Sequence, residues 1–523
     1  MPRSRGWLPG RDPAAVRHPG PAGRPHADAD DPPTVIVVGG GIAGLAAATG
    51  LAERGVRVRL WEREQRLGGR VRSWPVRVAG RDTTMSRGFH AFFRQYYNLR
   101  ALLRRADPGL AELRGLPDYP LQASGGHRDS FARVPRRPPW NFAGFVALSP
   151  SFGLRDLVRV DLDAALGLLD VDFPATFEAL DGVSAAAFLD RLRFPDRARH
   201  LALEVFARSF FADPEEFAAG ELVAMLHAYF LGSAEGLLFD VPADDFDTSL
   251  WRPLGERLNG LGVERCTAAA TRIEATAERL AVVDQGGRAH PADAVVLAAG
   301  PVETPRIVAR SSGLDPGWSG RLGALRTAPP FAVWRLWLDR PPRPDRPDFL
   351  GTSGYGQLDN VSILDRYEDG ARQWAAATGG AVLELHAYAL PTRPDGTVDE
   401  PDLRRRLRSA LTEVYPETAT AATLGEEWRV DRDCPLVGLS PWRDRPGVTT
   451  PDPRLVLAGD QVRCDLPVAL MERAATTGWQ AANALLGRWG LRGHDLWSVP
   501  VAGRQRWPGR LRRLLGRRRP GQP

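Results

Sequence analysis

Between Thr34 and Glu62 the chain reads TVIVVGGGIAGLAAATGLAERGVRVRLWE, a set of residue types suited to holding linked phosphates against backbone. Gly39 permits a tight turn out of the apolar run Val35 to Val38. Gly41 lets backbone approach a pyrophosphate, and Gly44 lets helix and strand pack closely. The alanine-rich segment that follows offers the free N–H groups and positive end of a helix to the phosphates. Glu62 lies 18 residues beyond Gly44, at the end of a second strand, where a carboxylate accepts hydrogen bonds from both ribose hydroxyls. A 2′-phosphate is repelled there, so NADP is disfavoured. Strand, glycine turn, helix and acid together predict a dinucleotide site in a Rossmann-like α/β domain.

Composition narrows the chemistry further. All 69 basic residues are arginine, and the absence of lysine excludes Schiff-base chemistry and a Walker-type phosphate loop. Cys266, Cys434 and Cys464 lie far apart with no CxxC pair, which predicts free buried thiols, a reducing compartment and no metal site. No apolar stretch reaches the roughly 18–20 uncharged residues of a membrane span. The segment Gly503 to Pro523 carries eight arginines and no acid, more than the whole chain's net charge of +6. The basicity therefore belongs to the tail, and no nucleic-acid partner is expected. Trp507, Leu511, Leu514 and Leu515 alternate with those arginines, which suits either an anionic membrane surface or a solvated tail.

The 523 residues are enough for two interleaved domains. Residues 1–33, rich in Pro, Arg and Asp, are expected to form a disordered leader. The cofactor domain is expected in three pieces, 34–105, 251–301 and 428–490. The second piece holds the apolar strand before Gly300, preceded by Thr271 to Glu274, a strand whose backbone can meet an adenine. The third holds the segment Arg454 to Asp460, a buried strand running into the turn Gly459-Asp460, and a helix expected to start at Pro467 and to pass Met471. Residues 106–250 and 302–427 are left for an α+β substrate domain and 491–523 for the basic tail. In the substrate domain, Asp213-Pro214-Glu215-Glu216 is expected to begin a helix, and Phe331 to Leu338 and Ala381 to Tyr388 to form strands.

The continuation Arg66-Leu-Gly68-Gly69-Arg70-Val-Arg-Ser73 resembles the second signature of FAD enzymes of the glutathione-reductase type, in the amine oxidase and carotenoid desaturase branch. The resemblance implies FAD as cofactor, with Glu62 and Arg63 at the adenosine end, Gly68 and Gly69 passing against it and Arg70 near its phosphates. Asp460 would then meet the ribityl hydroxyls. The helix turn around Met471 would aim N–H groups at the flavin ring, which stabilises its anionic reduced form. Many amine oxidases place a lysine beside the flavin, so the missing lysine counts against amine oxidation.

The segment Ser86 to Leu103, SRGFHAFFRQYYNLRALL, is similar to the one that follows the FAD signature in plant- and cyanobacterial-type carotene desaturases. RGFHAFFRQYYNLR most resembles the ring-aromatising isorenieratene synthases, the β-carotene desaturase/methyltransferases. That family implies two two-electron oxidations per β-ring. Because the gem-dimethyl carbon is quaternary, they must be accompanied by a 1,2-methyl shift. His90 is implied as a base or orienting group, and Arg87 as a residue that orders the same turn. His227 and His386, in apolar segments, are expected to be satisfied core residues. Phe206, Phe210, Phe217, Met225, Tyr229 and Phe230 are likewise expected in the core. A carotenoid must be collected from a bilayer, which implies a cytoplasmic enzyme bound peripherally through Trp140, Phe142, Phe145 and Phe152. A quinone or oxygen would serve as electron acceptor. A linear carotene or phytoene desaturase or isomerase, and a non-catalytic flavin-binding membrane scaffold, are the alternatives.

Overall fold

The structure, a computed structural model, describes residues 10–126, 128–130, 132, 134–138, 140, 141, 144, 161–193, 210–505, 508, 509 and 511. Its organising layer is a five-stranded sheet in the order Glu264–Thr267, Arg57–Glu62, Thr34–Val38, Ala294–Leu297, Leu455–Leu457. Every neighbouring pair is parallel. The apolar runs of Thr34–Val38 and Ala294–Leu297 follow from burial on both faces, the condition of parallel strands. One face carries the helix Ile42–Ala52, in which every residue is buried. That helix in turn packs on the long helix Leu470–Arg488. A Cβ at Gly478 would stand 2.2 Å from the Ala43 carbonyl oxygen, so the two helices can approach this closely only over a glycine.

The second layer is a seven-stranded sheet ordered Thr423–Asp431, Phe331–Leu338, Ala381–Ala387, Asn360–Ile363, Phe349–Ser353, Leu121–Ala123, Arg128–Asp129. Its strands are antiparallel except where Phe349–Ser353 meets Leu121–Ala123. Alternation explains how Phe331–Leu338 is buried throughout. Ala332, Trp334, Leu336 and Leu338 face a core shared with Leu403, Leu407 and Leu411 of the helix Glu400–Val414. Val333, Arg335 and Trp337 occupy the opposite face. The helices Ala175–Ala179, Ala185–Leu192 and Ala219–Leu226 form a lobe beside the two sheets.

Three local expectations are corrected. The leader is ordered from Gly10: Val16–His18 pairs antiparallel with Leu496–Ser498, and Asp12 is buried against the amide of Ala234 and the guanidinium of Arg504. A Pro- and Arg-rich composition does not prevent order where the partners lie at the far end of the chain. Asp213 to Glu216 make one isolated turn, not a helix start, because Ala218 then donates to the Val437 carbonyl. The helix begins at Ala219. Likewise the C-terminal helix starts at Leu470 rather than Pro467. Arg473 donates to the Val468 carbonyl at 3.0 and 2.8 Å, and the helix is entered through the extended residue Ala469.

Candidate active site

A cavity of about 790 Å³ lies between the two sheets. Its polar end sits at the carboxyl ends of the parallel strands, where ligands of open α/β sheets bind. Gly39, Gly41, Glu62, Arg63, Gly68, Gly69, Arg70, Gly459, Asp460 and Met471 all line it; Gly44 does not. The glycines divide by what surrounds them. A Cβ at Gly44 would stand 1.8 Å from the Gly39 carbonyl oxygen, so Gly44 serves packing. At Gly41 the nearest atom to an added Cβ is Gly69 Cα at 3.8 Å, which leaves that backbone open to a ligand. Gly68 and Gly69, with φ of +102° and +58°, turn the chain back beside Gly41, and the Gly68 amide donates to the Gly40 carbonyl at 2.8 Å.

The charged groups at this end are held in place. Glu62 accepts from the Gly40 amide at 2.7 Å and the Glu64 amide at 3.0 Å. Arg63 reaches Glu303 at 3.3 Å. Arg70 and Asp460 form an ion pair across the cavity wall. Burial alone would lower the Arg70 guanidinium, but the Asp460 carboxylate more than reverses this and holds it above its ordinary value. The helix Leu470–Arg488 opens at the wall, with Met471, Arg473 and Ala474 lining it, so the unbonded N–H groups of its first turn are close by. Gln461 donates to the Ala299 carbonyl while its buried Oε1 has no donor among the described residues. An open glycine cradle, an acid, a half-buried arginine, a helix start and an unsatisfied acceptor fit the diphosphate, sugar and ring of FAD. Facing the cavity near Glu62 are Ala268, Ala269 and Ala270, not the expected Thr271 to Glu274. Side chains this small carry no sequence signal of their own.

The other end is aromatic. Phe89 stacks on Phe349 at 4.5 Å, Phe93 meets Tyr229 edge-on at 4.6 Å, and Phe211 packs against Phe331 at 4.7 Å. Phe210, Met225 and Tyr229 belong to this wall, whereas Phe217 and Phe230 stay in the core and Phe206 lies outside the described residues. The core expectation for that run therefore holds only in part. A helix pointing one face at a cavity has the same apolar spacing as one facing a core.

His90 stands at the junction of the two ends. Its Nδ1 is 2.8 Å from the Gly88 carbonyl, which only accepts, so Nδ1 carries the hydrogen and Nε2 keeps its lone pair. Burial lowers the imidazole to about 4, which keeps it neutral near pH 7. Arg87 is committed elsewhere: both terminal nitrogens grip Asp433, at 2.8 and 2.7 Å. His227 is a buried residue bonded to the Pro500 carbonyl at 2.7 Å, away from this cavity. His386, expected in the core, forms part of the cavity wall. Cys434 also lines it, its thiol pushed up to about 12 by burial. Among the described residues no cluster of His, Cys, Asp or Glu can hold a metal ion, and no helix is long and apolar enough to cross a membrane.

Residues 42–486 match the flavin-containing amine oxidoreductase family. A carotenoid phi-ring synthase of Streptomyces griseus is 57% identical, over 96% of each chain. One from Chlorobaculum tepidum is 26% identical over 90% of this chain and 91% of its own. Among solved structures, an oxidoreductase from Methanosarcina mazei superposes with a TM-score of 0.61 at 17% identity, over 86% of this chain and 99% of its own. The chain therefore belongs to the flavin-containing amine oxidoreductase family, as an FAD-dependent oxidoreductase of its carotenoid desaturase branch.

Proposed function

We propose that this enzyme oxidises the end rings of a carotenoid, desaturating β-ionone rings with a 1,2-methyl shift to give aromatic rings. The observation that carries the proposal is the joining of the two ends in one cavity. The polar wall suits a dinucleotide, and it opens directly into a chamber walled by aromatic side chains, Phe89, Phe93, Phe211, Tyr229, Phe331 and Phe349 among them. Bound FAD supplies the two-electron oxidant. The chain's own part is to exclude water, which the aromatic wall does, and to hold the ring beside the oxidant. It must also receive the protons that each desaturation releases. His90 presents a neutral Nε2 at the junction, as an acceptor or as a group that orients the ring.

A substrate this apolar arrives from a bilayer. Trp140, 68% exposed next to the Pro/Arg loop, and Leu511, 40% exposed in the basic tail, are suited to peripheral docking. Phe142, Phe145, Phe152, Trp507, Leu514 and Leu515, read with them, lie outside the described residues. Electrons then leave to a quinone or to oxygen.

The test is expression in a host that accumulates β-carotene, followed by pigment analysis. Aromatic end groups support the reading, and altered conjugation in acyclic carotenes points instead to linear desaturation. Unchanged pigment beside a folded, flavin-loaded protein overturns both.

A further inference from the structure

The strand Ala381–Ala387 and the residue after it carry Glu384, His386 and Tyr388 at alternate positions, so all three lie on one face. We propose that these residues form a proton relay, opening on the cavity at Tyr388, that takes up the proton the substrate ring loses during desaturation. The inference rests on the ring-oxidising reading above.

The contacts run in a chain. Tyr388 and His386 both line the cavity, beside His90 and Asn360. The Tyr388 hydroxyl is 2.6 Å from His386 Nδ1 and accepts from Asn360 Nδ2 at 3.1 Å. His386 Nε2 is 2.9 Å from Glu384 Oε1. The other carboxylate oxygen, Oε2, accepts from Arg335 Nε at 2.9 Å and Nη2 at 2.6 Å. Glu384 and Arg335 are buried completely or nearly so, and the turn at Gly88 is pressed onto the imidazole: a Cβ there would stand 2.7 Å from His386 Cε1. Burial would push the Glu384 carboxyl up, but Arg335 and His386 bring it down to about 2, so it is ionised.

His386 Nε2 has two neighbours with opposite demands. The carboxylate of Glu384 requires a hydrogen on Nε2, whereas the Phe89 amide, 3.1 Å away, donates to a bare nitrogen. The Tyr388 hydroxyl suits either tautomer, since it can donate to Nδ1 or accept from it. The site thus holds a hydrogen on either ring nitrogen, as a relay needs. Once the bound oxidant has taken a hydride from the ring and left it positively charged, a neighbouring C–H bond breaks, its electron pair fills that vacancy as the new double bond, and the proton goes to the Tyr388 oxygen. The hydroxyl proton passes to His386 Nδ1, and the imidazolium formed lies against the Glu384 carboxylate. Among the described residues His90 has no carboxylate within hydrogen-bonding distance, and Glu384 acts on it only from farther away. His90 is then an orienting residue, Tyr388 a catalytic one, and His386 and Glu384 act through it. The charged and titratable groups around the imidazole are Glu384 and Tyr388 on its own strand, Arg335 on the neighbouring strand, Asp359 at the Tyr388 amide and His90 across the Gly88 turn.

The experiment is an anaerobic single turnover of the FAD-loaded enzyme with β-carotene in vesicles. Flavin bleaching and quenched pigment are followed in parallel for the wild type, Tyr388→Phe and His386→Gln. The expected result is bleaching within about threefold of wild type in Tyr388→Phe, with the product of the first ring desaturation, the one two-electron step a single FAD supports, formed at least about 100-fold more slowly. FAD content and melting temperature stay unchanged. In the wild type, product formation falls on the acid side as the relay fills with protons, and that limb disappears in His386→Gln. Wild-type product rates in both variants overturn the relay and leave the ring-oxidising reading intact, as does equal loss of bleaching and product with the acid limb retained. A wild-type enzyme that bleaches with no carotenoid overturns the reading and the relay with it.

Discussion

The cavity has two walls built on opposite plans. On the parallel-sheet side, recognition is a matter of backbone: Gly41 and Gly69 leave main chain bare, and Glu62 and the helix start at Leu470 complete the set. On the antiparallel side it is a matter of side chains, with Arg335, Glu384 and His386 buried between strands and aromatic rings forming the surface. Backbone recognition tolerates only the absence of a side chain, so it writes glycines into the sequence at fixed spacings. Side-chain recognition needs partners across strands, and it leaves only isolated polar letters in apolar runs.

Four measurements sharpen or break this contrast, taken from the largest expected effect downward. Arg335→Leu strands Glu384 in the interior without its cation, and should cost about 3–5 kcal/mol in urea unfolding. The pH dependence should also change sign. In the wild type Glu384 is held at about 2, so the pair's contribution is fully present above the ordinary carboxylate value and is lost as pH falls toward 2. In the variant the unpaired carboxyl is pushed up instead, and its deficit should shrink between pH 7.5 and pH 5. A deficit independent of pH would break the assignment of Glu384 as the buried charge. Gly44→Ala forces a methyl onto the Gly39 carbonyl and should cost about 1–3 kcal/mol, with loss of flavin and fold together on gel filtration. Gly41→Ala has room for its methyl in the protein. It should leave the apoprotein's melting temperature unchanged and weaken FAD about tenfold, roughly 1.4 kcal/mol, in a flavin titration. Equal melting losses in the two glycine variants would refute the division between packing and ligand glycines. The smallest effect concerns His90, lowered to about 4 by burial. Between pH 6.5 and 4 the unfolded chain binds the extra proton, so stability rises with pH and is fully present above 6.5. His90→Phe should flatten that acid slope by less than about 1 kcal/mol, because the ring is not fully buried.

The same contrast explains what could be read in advance. The parallel strands, the glycine turn, Glu62 and Asp460 were legible because each is a local pattern with a local cause. The start of the helix Leu470–Arg488 was not, because Arg473, inside the helix that Pro467 was expected to begin, holds the Val468 carbonyl, and Ala469 is extended. Residues 10–33 read as a leader since their partners, Leu496–Ser498 and Arg504, stand almost the whole chain away. His386 read as core because an apolar strand that walls a cavity and one that fills a core have the same alternation. Its neighbours Glu384 and Tyr388, at two residues on either side, were the signal available: three polar groups on one face of a strand seldom lack a joint task.

The outer strand Leu455–Leu457 closes a sheet whose first member is Thr34–Val38, and the helix Leu470–Arg488 covers the helix that carries the glycine turn. On a ribosome adding about 5–20 residues per second, Gly41 leaves the tunnel on the order of a minute before these last pieces do. Throughout synthesis the nucleotide cradle has one flank missing, and no partial chain can enclose the cofactor. FAD should therefore be retained only by chains that extend past Arg488, which flavin titration of a truncation series reads directly.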